Sequence, residues 1–138
     1  MADFKKIEWG LEAYLSADVA LAALLETFEG KPAIFSYVAP PSAVSPYICY
    51  FTLDITADDT HDTRQDNALY QINVHTFKSS TAYDIFSVLD ALLHRQTFSI
   101  EGYTNLFVVR VRGIQRLQLE EGEELMGLSA DYKIMVQE

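Results

Sequence analysis

The spacing of hydrophobic residues divides the chain into helical and extended stretches. Apolar residues recur every three or four positions from Phe4 to Leu15, which predicts an amphipathic helix. Ser16 to Asp18 predicts a break, after which a second short helix covers Val19 to Phe28 and ends at Gly30. A third amphipathic helix is predicted from Thr81, which is followed by Asp84, to near Arg95.

Stretches in which apolar and polar residues alternate predict strands between and after the helices. The inward side chains are clearest in two of these stretches. In the first, Tyr70, Ile72 and Val74 alternate with polar residues, and in the second the even-numbered residues from Met126 to Val136 do so. In the segment beginning at Tyr47, the odd-numbered residues through Ile55 are predicted to face inward. The predicted strands are Ala33 to Val38, Tyr47 to Thr56, Ala68 to Phe77, Thr104 to Leu119 and Met126 to Val136.

The predicted order of elements is ααβββαββ. Each long strand has one apolar and one polar side, which favours an α+β fold: an antiparallel sheet of about four main strands with helices packed on one face. The length of 138 residues, without a repeat or a linker, predicts one domain over residues 1–138. The polar side of the sheet is expected to be covered by water or by a neighbouring subunit.

The net charge narrows the classes of partner. Ten Lys and Arg residues against twenty Asp and Glu residues give a net charge of −10. This charge disfavours binding to nucleic acid, but it allows a surface along which DNA passes without being held. Anionic membranes are disfavoured for the same reason. The N-terminus lacks the apolar core of a signal peptide and no window is apolar enough to span a membrane, so a cytoplasm-like compartment is expected.

The only cluster of metal-binding residue types lies in a polar loop at residues 58–66. Asp58, Asp59, His61, Asp62 and Asp66 could hold Mn²⁺ or Mg²⁺. An ordinary solvated hairpin loop has the same composition, and the spacing matches no calcium loop. The loop therefore predicts no metal site, and a small metal-binding enzyme is kept as an alternative function.

Nothing else in the sequence points to catalysis. The single cysteine, Cys49, excludes an intrachain disulfide and is predicted to be a buried apolar residue. A nucleophilic pair with His75 is disfavoured, because alternation places the two side chains on opposite faces of the sheet. The sequence also lacks a phosphate-binding glycine loop and zinc-ligand spacing, so no catalytic residue and no cofactor are predicted.

Two groups of residues are candidates for contacts between subunits. Arg110, Arg112 and Arg116 are predicted to share one face of a strand, where they either pair with acids such as Asp54 and Asp131 or meet an acidic surface of a neighbouring copy.

The second group lies in the loop before the strand at Tyr47. Pro40, Pro41 and Val44 belong to a stiff, apolar segment that either serves as a rigid connection or docks against a neighbour. Pro46 favours an extended conformation at the residue before it and so directs the chain into the strand.

Four stretches, in this order, resemble the tail completion, or tail terminator, proteins of long-tailed bacteriophages. The resemblance covers nearly the whole chain, although the run of residues 29–33 departs from the pattern of the family. The stretches are LEAYLSADVALAALL from Leu11, YVAPP from Tyr37 with PYICY from Pro46, QINVHTF from Gln71 with the helix start that follows, and GLSADYKI from Gly127.

The resemblance implies a structural virion protein. Such a protein forms a hexameric ring on the head-proximal end of the tail tube, stops tube polymerisation and offers a docking face to the head–tail connector, while DNA passes through the lumen. The implied partners are further copies of the chain, the tail tube protein and the connector protein. The implied location is the virion tail, after assembly in the cytoplasm of the bacterial host.

Two further alternatives remain open from the sequence. A neck or head-completion protein has the same size range and also forms rings. An adaptor that binds a peptide along the edge of a sheet would remain monomeric at high concentration.

Overall fold

The computed structural model describes residues 4–57, 65–103, 105–116 and 126–137. It contains three helices and seven strands within these ranges. The helices are α1 (Phe4–Ser16), α2 (Val19–Leu24) and α3 (Ser79–Leu93). The strands are β1 (Thr27–Phe28), β2 (Lys31–Pro32), β3 (Ile34–Ser36), β4 (Tyr47–Ala57), β5 (Gln65–Thr76), β6 (Asn105–Arg116) and β7 (Met126–Gln137).

The predicted break between the first two helices is present, and Asp18 explains the restart. Its carboxylate accepts a hydrogen bond from the Leu21 backbone N–H at 2.9 Å, which satisfies one of the free donors at the start of α2. On either side of the break, Ile7, Leu11 and Leu15 of α1 and Leu21 of α2 are buried. The periodic stripe read from the sequence is therefore the face that packs into the core.

Two predicted helix boundaries are wrong. The second helix ends at Leu24, and Phe28 lies instead in a small hairpin of β1 and β2 whose turn residues, Glu29 and Gly30, have φ of 51° and 81°. The left-handed backbone favours Gly30 at this turn. The third helix begins at Ser79, before the predicted cap, and Lys78 at its N-cap makes no side-chain capping bond.

Five strands form the main sheet, in the order β3-β4-β5-β7-β6. The α+β class is confirmed, with one strand more than the four expected. The sheet is mixed, because β3 pairs with β4 in parallel while the other pairs are antiparallel. After β5 the chain passes through α3 to the far edge, and β7 then fills the position between β6 and β5.

The helices pack against one face of this sheet and enclose the core. The Tyr14 hydroxyl donates to the Leu92 carbonyl at 2.8 Å, joining α1 to α3, and its ring stacks on Phe98 at 4.3 Å. The strand residues that meet the helices include Ile48, Tyr50, Tyr70, Ile72, Val74, Val108, Tyr132 and Ile134, all of them buried.

The inward face of β4 is opposite to the predicted one over its first half. Ile48 and Tyr50, not their odd-numbered neighbours, belong to the core. The register shifts between Thr52 and Asp54, so that Leu53 is an extra residue and Ile55 returns to the core side opposite Ala68. The prediction failed because the run YICYF is apolar on both sides and its phase is set by pairing with β5.

The outer edge of β6 is partly covered by the segment that follows α3. The Arg95 N–H donates to the Val108 carbonyl at 2.7 Å, and the Val108 N–H donates to the Gln96 carbonyl at 3.0 Å. The Arg110 N–H donates to His94 Nδ1 at 3.0 Å. Three outward-facing backbone groups of this edge strand are therefore already satisfied.

Gly10 of α1 provides a test of the helix packing. A Cβ at this position would lie 2.7 Å from Ile100 Cγ1 and 2.9 Å from Cδ1. Gly10→Ala should therefore lower the free energy of unfolding by about 1–3 kcal/mol, although alanine is the better helix former. Urea denaturation measures the change. In an Ile100→Ala background the same substitution should be neutral or stabilising, and an equal loss in both backgrounds would contradict the close approach.

The buried phenols make stability depend on pH at the alkaline end. Burial raises the pKa of Tyr50 and Tyr132, and raises that of Tyr70 to about 12. The unfolded chain then releases these protons first, so stability is intact below pH of about 10 and falls as pH approaches 12, by about 1.4 kcal/mol per pH unit per phenol. Urea midpoints across this window measure the loss. Tyr70→Phe should make the decline shallower, and a midpoint that stays constant would refute the assignment.

Candidate functional site

The side of the sheet away from the helices, called here the helix-free face, carries the polar residues of the strands. Its centre follows the register Cys49–Asn73–Ser129, with Asp131 beside it on β7. Asn73, Ser129 and Asp131 are only 9%, 7% and 5% exposed. The centre of this face is therefore already covered within one chain, whereas the sequence predicted cover by water or by a neighbouring subunit.

Two buried acceptors on the helix-free face accept no hydrogen bond from the part of the chain that the structure describes. They are Asn73 Oδ1 and Asp131 Oδ1. Arg112 lies 3.8 Å from the other carboxylate oxygen of Asp131, a long ion pair. Buried acceptors are usually satisfied by protein or water, so these two oxygens are exceptions among the described residues.

Cys49 and His75 lie on the same face, which corrects the prediction from alternation. The register places Cys49 opposite Asn73 and His75 opposite Tyr47. Burial raises the pKa of the Cys49 thiol to about 11, and the Ala39 backbone hydrogen bond opposes this only in part. Cys49 is therefore a protonated, buried residue at neutral pH and not an activated nucleophile.

An aromatic row crosses the sheet near β3. Phe28 packs edge-on to Phe35 at 5.2 Å, Phe35 meets Tyr47 at 6.0 Å, and Tyr47 stacks on His75 at 4.9 Å. This row joins the small β1–β2 hairpin to β3, β4 and β5. It fixes the hairpin to the edge of the sheet at which the proline loop begins.

The three arginines do not share a face. Arg110 lies opposite Tyr132 and points toward α3, where its guanidinium is 3.0 Å from Asp90 Oδ1. The same oxygen accepts the Tyr132 hydroxyl at 2.9 Å. Burial, and next the bond to Asp90, raise the pKa of Tyr132. Arg110 thus ties β6 to α3 within the molecule.

Arg112 lies on the other side of the sheet. The register shifts between Arg110 and Arg112, so Val111 is an extra residue and Arg112 comes opposite Asp131 on the helix-free face. A second shift follows, and the Arg116 backbone pairs with Leu128. The predicted common face is wrong because a bulge reverses the alternation. Pairing with Asp131 was one of the two interpretations of the sequence, and only Arg112 makes it among the described contacts.

The proline loop, residues 37–46, runs from β3 to β4 and is held at several points. The Tyr37 N–H donates to the Tyr50 carbonyl at 2.8 Å, and the Ala43 N–H donates to the Pro40 carbonyl at 2.9 Å. Pro41, Val38 and Val44 are exposed, and Pro40 is partly buried. The loop therefore presents apolar side chains to solvent from a fixed backbone.

A groove lies between α1 and the β1–β2 hairpin, beside the edge strand β3. It has a volume of about 740 Å³ and is lined by Trp9, Glu12, Phe28, Glu29, Lys31 and Phe35, among others. Trp9 is 62% exposed. This Trp9 groove was not predicted, because one of its walls is a hairpin that the sequence pattern did not indicate. An apolar residue outside the buried stripe of α1 was the available signal.

Four of the five candidate metal ligands, all but Asp66, lie outside the described residues. Residues 58–64, which include His61, lie outside the described ranges. Within those ranges, no group of three His, Cys, Asp or Glu residues is arranged to hold a metal ion. None of the described helices is long and apolar enough to cross a membrane.

Comparison with known proteins identifies the family. The sequence model for tail completion protein gp17 matches residues 10–137. The chain belongs to this family. The tail completion protein is therefore a structural component of the bacteriophage tail, as the resemblance in the sequence implied.

Solved structures agree with the fold of the tail completion protein. A chain from the virion of a native gene transfer agent particle superposes with a TM-score of 0.72 at 17% identity, covering 96% of this chain and 95% of that one. A second structure superposes with a TM-score of 0.62 at 18% identity, covering 100% and 98%. No curated protein matches the sequence.

The reactivity of Cys49 tests how firmly the proline loop is held. With its pKa at about 11, Cys49 should react with an aromatic disulfide reagent roughly a hundredfold more slowly than an exposed cysteine. Changing both Pro40 and Pro41 to Gly should accelerate labelling. The two substitutions loosen the loop next to Ala39, whose backbone makes a hydrogen bond with the Cys49 thiol. Stopped-flow absorbance at pH 8 measures the rate of labelling. Ser42→Gly, at an exposed position of the loop, is the control, and equal rates for all three proteins would contradict a stiff loop.

Proposed function

We propose that this tail completion protein caps the head-proximal end of the tail tube as a hexameric ring. The ring stops polymerisation of the tube and offers the surface to which the head–tail connector joins. The observation that supports this function is the family match over residues 10–137, nearly the whole chain.

The described surfaces suit a subunit with several neighbours. The proline loop exposes apolar side chains from a fixed backbone, so little conformational entropy is lost when it is ordered in a contact. We assign Pro40, Pro41 and Val44 to contacts with a neighbouring protein. Arg110 is already engaged with Asp90, so of the three arginines Arg112 is the better interface candidate among the described side chains.

The net charge supports a passage for DNA. A chain with a charge of −10 repels the phosphate backbone, so a ring of such chains lets DNA move through its lumen without holding it. The partners are then further copies of the chain, the tail tube protein and the connector. The ring assembles in the cytoplasm of the bacterial host and remains in the virion tail, and it needs neither a membrane nor a cofactor.

The function predicts the phenotype of particles made without the protein. Tails should vary in length and should not join DNA-filled heads, because the tube lacks its stop and its joining surface. Electron microscopy of tail length and of joined particles measures both effects. Purified wild-type protein added to the separated tails should restore joining.

A loop variant and a matched control sharpen the same experiment. The variant with Pro40 and Pro41 changed to Gly should fold but restore joining poorly, and Ser42→Gly should restore it fully. Uniform tails joined to heads in the absence of the protein would overturn the proposal. Binding to filled heads, with no binding to tails, would instead assign the protein to the neck.

A further inference from the structure

The Trp9 groove combines an exposed aromatic ring with carboxylates. Trp9 and Glu12 are three residues apart on α1, and both line the groove. Residues at this spacing lie side by side on a helix. Glu29 and Lys31 of the hairpin form the opposite wall, so the lining has two acids and one base.

This combination suits an arginine side chain. The planar guanidinium stacks on an indole ring and donates hydrogen bonds to a carboxylate at the same time. Burial raises the pKa of Glu12, the charge of Lys31 lowers it and that of Glu8 raises it. A second cation beside Glu12 would favour its ionised form, so the carboxylate gains from an incoming guanidinium.

Arg112 has the exposure and the position to reach such a groove on another molecule. Its side chain is 57% exposed and its contact with Asp131 is long, at 3.8 Å. The neighbouring Val111 is exposed as well. Arg112 belongs to β6 and the groove lies beside β3, and these strands form opposite edges of the main sheet. Each copy therefore carries the groove at one edge of the sheet and Arg112 at the other edge.

We propose that the Trp9 groove binds Arg112 of a second copy of this chain. The guanidinium lies against the indole ring of Trp9 and between the carboxylates of Glu12 and Glu29. A contact between two different surfaces repeats from copy to copy, and it forms a ring when the rotation between neighbouring copies closes. The proposal rests on the proposed ring, whose subunit interface it names.

Disulfide trapping tests the contact directly, even where association is weak. Ala13→Cys places a thiol in the groove and Val111→Cys places one beside Arg112, both at exposed positions, while the buried Cys49 is left in place. The two full-length variants, one with a tag that changes its mass, are mixed and oxidised. Ser87→Cys, exposed on α3, replaces Val111→Cys in the control mixture. The mixed dimer should form in the test mixture in clear excess over the control.

Charge exchange shows whether the trapped contact depends on these side chains. Arg112→Glu in the Val111→Cys chain should lower the yield of mixed dimer about tenfold, and so should Trp9→Ala in the other chain. Combining Arg112→Glu with Glu12→Arg in the partner should recover most of the yield. Equal yields in test and control mixtures, or no effect of either charge change, would overturn the proposal.

The tail assay separates this inference from the function on which it rests. If wild-type protein restores joined particles and the Glu12→Arg variant restores them equally, the groove is not the subunit interface and the capping function stands. If trapping succeeds but particles join without the protein, the contact stands and the capping function is wrong. If charge exchange restores trapping only when the groove is paired with another virion protein, the groove binds that protein. Such a result would refute the contact between copies of this chain.

Discussion

The surfaces of this protein depend on where two strands contain an extra residue. Leu53 in β4 and Val111 in β6 interrupt the alternation, and each reverses the faces that the following residues meet. In β4 the extra residue returns Ile55 to the helix-facing side, where it packs against the core opposite Ala68. In β6, Arg110 precedes the extra residue and pairs with Asp90 on the helix side, while Arg112 follows it and lies beside Asp131 on the helix-free face.

The fold could be predicted where polar neighbours fixed the phase of the pattern. Tyr70, Ile72 and Val74 alternate with polar residues, and all three lie in the core. In β4 the apolar run around Cys49 gave no such information, because the aromatic row covers the second side of the strand. The two-residue strands of the β1–β2 hairpin are too short to show any period, so the sequence predicts Thr27–Phe28 as the end of a helix and no element at Lys31–Pro32.

The candidate surfaces were predictable only where a local sequence determines local structure. The three prolines between β3 and β4 were enough to indicate a stiff loop, and the structure shows that loop held by backbone hydrogen bonds. The placement of the arginines required the strand register, which the sequence does not contain locally. The Trp9 groove required the meeting of α1 with the hairpin, a tertiary contact between segments that carry no shared motif.

The segment from His94 to Gln96 also determines how this edge of the sheet meets other molecules. With Val108 and Arg110 already bonded to it, an approaching chain cannot extend the sheet there through its main chain. Amyloid-like stacking at this part of the edge is thereby hindered at high protein concentration. Attraction at this end falls to side chains, which include the exposed Arg112 and the exposed apolar Phe107 and Val111. Ions screen only the charged part, so a higher ionic strength weakens this attraction without abolishing it.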